Sequence, residues 1–349
     1  MPTPPLSDEE AIRGYNLVQE HGSPHAAALA IGHDSKYIKR RMDAAIDRGL
    51  INNNDNIEYP DNILSDGLDG KPIDEILDGI RSSFNRGVQK ANNERWFKIK
   101  VKETKPYGVL FFGDPHIGNP GCNFPLLEKH IKVAQQQGIY SVNIGDTTDN
   151  WVGRLVRKYA DSETTKADER KLIEWFMHDC GITWLAWILG NHDLWNDGEA
   201  FHKLIGKGKF PIIKWKSKFS LVHPNKTKIN IDAAHGRKGH SMWNEMHATL
   251  KAAKMGELAD IYVSGHIHSF GLQDLEIPER GTNTWLMQLR GYKYNDDYAL
   301  VGNFPEYQRG SSILAIIDPS KDPRRSVPMC FEDVEHGGDY LKHLRKKAK

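Results

Sequence analysis

From Lys105 onward the chain alternates short apolar runs with polar punctuation. "YGVLFFGD", "IYSVNIGD", "WLAWILGN", "KINIDAAHG" and "DIYVSGH" each read as a buried strand whose last residues emerge in a loop. Helical periodicity in "PLLEKHIKVAQQQ", "ERKLIEWFMHD" and "SMWNEMHATLKAAKMG" separates several of them. This alternation predicts an α/β core with functional groups gathered at strand C-terminal ends, where open sheets place their sites. "TWLMQLRGY" and "SSILAIID" predict further strands that complete a second sheet.

The N-terminal pattern is different. Residues 8–49 predict three short helices: Ser7 caps the first and Gly22 stops it, Ser23 and Pro24 open the second and Gly32 ends it, and the third begins at Asp34 or Ser35. A small-residue middle helix, a glycine turn and a basic third helix together read as a helix-turn-helix. Its DNA-facing candidates are Lys36, Tyr37, Lys39, Arg40 and Arg41. The plainer reading is a three-helix packing unit whose basic residues are merely solvated. From Ile51 to Lys71 an Asn/Asp/Gly-rich stretch predicts a linker, and "PIDEILDGIRSSFNRGVQKANNERW" predicts a connecting or dimerising helix. Beyond Pro319 the pattern loosens, and the basic "LKHLRKKAK" predicts a solvated or frayed tail. The expected division is 1–50 helix-turn-helix, 51–104 linker and connecting helix, 105–320 catalytic domain, and 321–349 C-terminal extension.

Composition narrows the class. At 349 residues with formal charge +1, the chain is long enough for a substantial core, and its net charge by itself points to no polyanionic partner. Three scattered cysteines without a C-x-x-C fit neither a disulfide framework nor a thiolate zinc site. The N-terminus lacks a basic flank followed by an apolar run, and no stretch is apolar for the length of a membrane span. The expectation is a soluble cytoplasmic protein.

The chemistry sits at the strand exits. In order they carry Asp114 and His116 in "GDPH", Asp146 and Asp149 in "GDTTD", Asn191 and His192 in "GNHD", His235 in "AAHG", and His266 and His268 in "GHIH". A His-x-His pair alone is weak, since most such pairs bind nothing. Turns alone need only Gly, Ser or Asn; carboxylates and imidazoles at nearly every exit suit convergence on a cation. This ordered set resembles the calcineurin-like metallophosphoesterase superfamily, whose signature runs D-x-H, GD-x-x-D, GN-H-D/E, H and GH-x-H. All five blocks occur in order over residues 114–268.

The resemblance implies a four-layer α/β fold, two packed mixed sheets flanked by helices, with the small all-α unit in front. It implies two divalent metal ions, manganese first and zinc or iron next. One ion would take Asp114, His116 and His268; the other would take Asn191, His235 and His266; Asp146 would bridge them. By the same resemblance His192 is the proton donor to the leaving group, and Asp149 the carboxylate that holds it in place. Asp193 is expected in loop hydrogen bonding.

Local residues bear on the substrate. The protein-phosphatase spelling of the blocks is absent, and "GNHD" is met more often in nucleases and phosphodiester hydrolases. Between Ala200 and Ile231 there are eight lysines and no acid, interleaved with Phe201, Phe210, Trp215 and Phe219, which suits a strand-tracking groove. The competing reading makes "KWKSKF" an edge strand with lysines outward. Trp151, Arg154, Arg290, Tyr292 and Lys293 are candidate substrate contacts, with packing as the plain alternative. Together with "GDTTDNWVGRL" and "RGYKYNDDYAL", the helix-turn-helix resembles hypothetical metallophosphoesterases encoded by phages and prophages. The expected activity is phosphodiester cleavage in DNA; the alternatives are hydrolysis of small nucleotides, or a DNA-binding regulator with a vestigial metal site.

Overall fold

The computed structural model describes residues 6–51, 71–93, 96–241, 243–278, 282–294, 309–321 and 328–348. Most of the expected linker, and the end of "RGYKYNDDYAL", lie outside the described residues. The chain divides into two compact units, Met1–Ile80 and Arg81–Lys349.

In the first unit α1 (Asp8–His21), α2 (Pro24–Ile31) and α3 (Ser35–Asp47) start and stop at the predicted caps. The Ser7 hydroxyl accepts from the Glu10 amide while Glu10 reaches back to Ser7, and Gly22 and Gly32 end their helices in left-handed conformations. Ala27, Ala28 and Ile38, with Val18 of α1, form a small core. Lys36, Tyr37, Lys39 and Arg40 are exposed on α3. Arg41 departs from the expected DNA face: it lies over the Tyr37 ring and its guanidinium is 3.4 Å from Glu10 of α1. Its stem also packs so close to Gly14 that a Cβ there would sit 2.3 Å from the Arg41 Cβ. Arg41 therefore serves helix packing.

The predicted connecting helix is α4 (Ile73–Asn93), which runs across the division between the units. Ile73, Ile76, Leu77, Ile80, Phe84 and Val88 are exposed along it.

The second unit contains two six-stranded mixed sheets. The strands are β1 (Phe97–Lys100), β2 (Tyr107–Phe112), β3 (Ile139–Asn143), β4 (Trp184–Leu189), β5 (Ile212–Lys214), β6 (Lys216–Val222), β7 (Lys228–Ala234), β8 (Ile261–Ser264), β9 (Gly271–Ile277), β10 (Thr282–Gln288), β11 (Ser312–Ile317) and β12 (Met329–Phe331). One sheet runs β12-β11-β2-β3-β4-β5, the other β1-β6-β7-β8-β10-β9. Strands β2 to β5 are mutually parallel, as are β7, β8 and β10. Parallel neighbours open all their C-terminal ends at one edge, which is how residues distant in sequence come to share one loop cluster.

Strands β2, β4 and β8 are buried at every position, as expected of strands covered on both faces. Between the sheets lies a core that includes Val109, Phe111, Val142, Ile188, Phe219, Ile231, Val263, Met287 and Ile313. On the outer face of the first sheet a second core gathers Phe112, Trp187 and Leu314 with α5 (Phe124–Ala134), α6 (Lys166–Glu174) and α8 (Gly198–Ile205). On the outer face of the other, α9 (His247–Met255) packs Ala253 near Tyr262 and Leu286. The result is four layers.

Two expectations need correction. Strand β1 lies in the segment read as connector, yet pairs in parallel with β6 from Phe97↔Phe219 to Lys100↔Val222, so the sheet begins before residue 105. "KWKSKF" keeps the edge character expected of it: Lys214 ends β5, the last strand of its sheet, and Lys216–Lys218 open β6 before β1 begins to pair with it at Phe219. The C-terminal segment is not frayed. β12 pairs with β11, and α10 (Val334–Lys347) buries Val334 and Leu341 in the outer core. Arg345 then ties the helix to Glu103 at 3.2 Å and to the Pro106 carbonyl at 2.7 Å. Among the described residues no helix is long and apolar enough to cross a membrane.

Candidate metal centre

The loops after β2, β3 and β4 in one sheet, and after β7 and β8 in the other, meet at a common edge. Asp114 is fully buried; its Oδ2 accepts from the His266 amide at 2.8 Å and lies 3.4 Å from His268 Nε2. Asp146 Oδ1 accepts from the His192 amide at 2.9 Å, and its Oδ2 is 3.2 Å from His235 Nε2. His235 donates through Nδ1 to the Ile144 carbonyl at 3.0 Å. That leaves Nε2 facing Asn191 Oδ1 and His266 Nδ1, each at 3.1 Å.

Besides His116 with Asp149 and His192, whose loops all follow strands of one sheet, two further groups could hold a metal ion, Asp114 with His116 and His268, and Asp146 with His235 and His266, the candidate donor atoms of each lying within 4.8 Å of one another. Each of these two draws on both sheets. Asn191, the first residue of the short helix α7 (Asn191–Leu194), joins the second group through His235. All seven residues expected as ligands are thus brought together.

Electrostatics favour a neutral imidazole at three of these histidines, whereas at His235 burial is outweighed by Asp146 and Asp114, which raise the pKa to about 10. Burial, with Lys293 nearby, lowers the pKa of His116 to about 4, so its imidazole is neutral. Its Nδ1–H donates to Asp149 Oδ1 at 2.8 Å, and the Nε2 lone pair is left for a cation. Burial likewise holds His268 and His266 below the ordinary histidine range, the latter with help from His235. Burial raises Asp114 to about 7, against the pull of His235. Asp146 pays the same desolvation cost but stays well below the usual carboxylate range because His235 and His192 face it.

Whether cations fit can be judged from the buried polar atoms. Asp114 Oδ1 and His116 Nε2 are both buried and make no hydrogen bond. Such atoms are costly to strand, and two of them in one ligand group suit a bound ion. The backbone agrees. His116, Asp146, His266 and His268 all have positive φ, between 44° and 72°. Non-glycine residues seldom accept this conformation, and when they cluster they mark sites where geometry outranks comfort. The glycines before the ligands permit the crowding: a Cβ on Gly190 would lie 2.2 Å from Asp146 Oδ1, and one on Gly265 would lie 2.3 Å from Asp114 Oδ1.

The surrounding residues modify the expected roles. The Asp149 carboxylate does not hold His192; it accepts from His116 Nδ1 and Asn119 Nδ2 and pairs with Lys293 Nζ at 3.1 Å. Burial opposes its charge, but these donors keep Asp149 ionised well below the ordinary range. It is the Asp149 backbone carbonyl that accepts from His192 Nδ1. Asp193, as expected, bonds loops together: it accepts from the amides of Asp146, Thr147 and Gly190 at 2.7, 3.0 and 2.9 Å.

Among the candidate substrate contacts, Trp151 lies edge-on to His192 with ring centroids 5.2 Å apart, and Lys293 sits over its face. Arg154 is exposed on the 3₁₀ stretch Gly153–Asp161. Arg290 donates to the Arg309 carbonyl. Tyr292 is a correction: it is fully buried, its hydroxyl shared between His130 and Ser312, each at 2.6 Å, so it packs and touches no substrate. Sequence reasoning missed Asn119 and Trp195. The Trp195 ring centroid is 4.2 Å from that of His192, and only the proximity of "GNHDLW" hinted at it.

These residues define a buried carboxylate–imidazole centre whose groups could hold a metal ion. No protein-family model matches the chain, and no curated protein matches it. Similar solved structures include a conserved uncharacterized protein from Streptococcus pneumoniae TIGR4 described as a predicted phosphoesterase (12% identity, 62% of this chain and 86% of that one, TM-score 0.32). Others are a protein of unknown function from Aquifex aeolicus (16% identity, 47% and 80%, TM-score 0.28), and GAP50, the anchor in the inner membrane complex of Plasmodium (9% identity, 69% and 95%, TM-score 0.32). Likenesses this faint leave the chemistry to be read from the chain's own residues.

Proposed function

We propose that this chain is a metal-dependent phosphoesterase that hydrolyses phosphodiester bonds in DNA. The observation that carries the reading is the pair of adjoining ligand groups, with two stranded buried donor atoms, on the loops bearing the five sequence blocks. Asp114, His116 and His268 would hold one divalent ion, Asn191, His235 and His266 the other, with Asp146 between them; manganese is the first choice, zinc or iron next. Two such ions would supply charge to phosphate oxygens and acidify a water for in-line attack. The chain's residues do the rest. His192, fixed through Nδ1 by a carbonyl, presents Nε2 to protonate the leaving oxygen. Lys293 and Asp149 keep His116 in the tautomer a cation needs. Trp151 and Arg154 offer a ring and a cation for a nucleotide. DNA is favoured over small nucleotides by the exposed Lys36, Tyr37, Lys39 and Arg40 of α3 and by the lysine-rich segment around β5 and β6.

The test compares the manganese-loaded chain with Asp146→Asn on linear DNA, circular DNA, bis-p-nitrophenyl phosphate and mononucleotides. Diester cleavage by the unaltered chain and its loss in the variant are expected. Cleavage of monoesters alone would remove the nuclease reading, and full activity in Asp146→Asn would remove the centre.

A further inference from the structure

The apolar residues of α4 form a stripe. Ile73, Leu77, Ile80, Phe84 and Val88 recur at spacings of four, three, four and four, with Ile76 beside them. That is one face of a helix, about 22 Å long at the usual rise per residue. All six are 39% to 70% exposed. A face this long and apolar is a liability unless something covers it.

The charges on the same helix indicate what does. Asp74, Glu75 and Asp78 occupy its first third, and Arg81 and Arg86 follow. Acids early and bases late also suit the helix dipole, but the dipole gives no reason for the apolar stripe. Two such helices side by side in the same direction would set acids against acids. Run in opposite directions about a centre between Ile80 and Arg81, they place Ile73 of one level with Val88 of the other, Leu77 with Phe84, and Glu75 with Arg86. The apolar residues and the opposite charges then match in a single register. Lys71 already reaches Glu75 at 2.8 Å within the chain, but both side chains are more than half exposed and such a pair is weak, so it leaves Glu75 open to a second cation.

We infer that α4 is the dimerisation element of this protein, and that its apolar face is covered by α4 of a second copy in antiparallel orientation. The inference stands apart from the metal chemistry. Sedimentation of the full chain at micromolar concentration is expected to show a dimer. Leu77→Glu combined with Phe84→Glu is expected to weaken it by at least about 100-fold. These side chains are exposed within one chain, so a folded circular dichroism spectrum will accompany the loss. Orientation is read from disulfides: mixed Ile73→Cys and Val88→Cys chains should cross-link to each other, while Ile73→Cys alone should not, with the unaltered chain as control for its own cysteines. A monomeric full chain, a dimer that survives the double Glu variant, or ready cross-linking of Ile73→Cys to itself would each overturn the inference.

Discussion

At the scale of single residues, position in the centre separates jobs that look alike in the sequence. His116 and His192 both lean on Asp149, one on its carboxylate and the other on its carbonyl. The first is thereby held in the tautomer that leaves its Nε2 free; the second is oriented by a neutral acceptor. His192→Gln is therefore expected to lower kcat on diesters by about 10²- to 10⁴-fold, the usual worth of a general acid. It should leave intact the rise in melting temperature on adding manganese, measured by calorimetry. An equal loss of that rise would make His192 a ligand instead.

Glu169, outside the centre, offers a cleaner titration. It accepts from the Asn150 amide at 3.0 Å and the Tyr159 hydroxyl at 2.6 Å, and burial raises its pKa from 4.5 to about 7, Asp149 adding to the rise. Between those values the folded chain holds a proton that the unfolded chain has lost, so this group's contribution to stability falls as pH rises from 4.5 to 7. Glu169→Gln cannot titrate. Relative to the unaltered chain its unfolding free energy should climb by roughly 2–3 kcal/mol across that window, followed by urea denaturation in excess chelator. Parallel pH profiles for the two chains would mean that Glu169 is ionised in the fold.

At the scale of elements, the legible parts were those whose signal is local. Caps and glycine stops marked α1 to α3, and unbroken apolar runs marked β2, β4 and β8, because those choices are made by neighbouring residues. The elements read poorly are held by distant partners. β1 alternates but is only four residues long and owes its place to β6, and α10 carries so many charges that only its packing beneath β11 and β12 explains Leu341. Leu341→Ala should accordingly cost about 2–5 kcal/mol in urea unfolding, as for other buried leucines. A cost under about 0.5 kcal/mol, typical of surface substitutions, would return the helix to the status of a tail.

At the scale of the whole molecule, the candidate ligands could be listed from sequence because strand exits announce themselves. Their grouping was legible only through the family resemblance. Nothing in the spacing of "GDPH" and "GHIH" says that Asp114 sits with His268 while His266 turns to His235; that follows from two sheets packed over a shared core with their strand exits side by side. Nor could the sequence show that Tyr292 is walled in by His130 and Ser312.

The shared ownership of these two ligand groups also bears on how the protein is made. The loops of β2, β3 and β4 leave the ribosome well before those of β7 and β8, and by themselves they complete neither group. A nascent chain thus brings together only His116, Asp149 and His192 until its later half has docked onto the earlier one. If the two groups that span both sheets hold ions, their filling falls at the end of assembly.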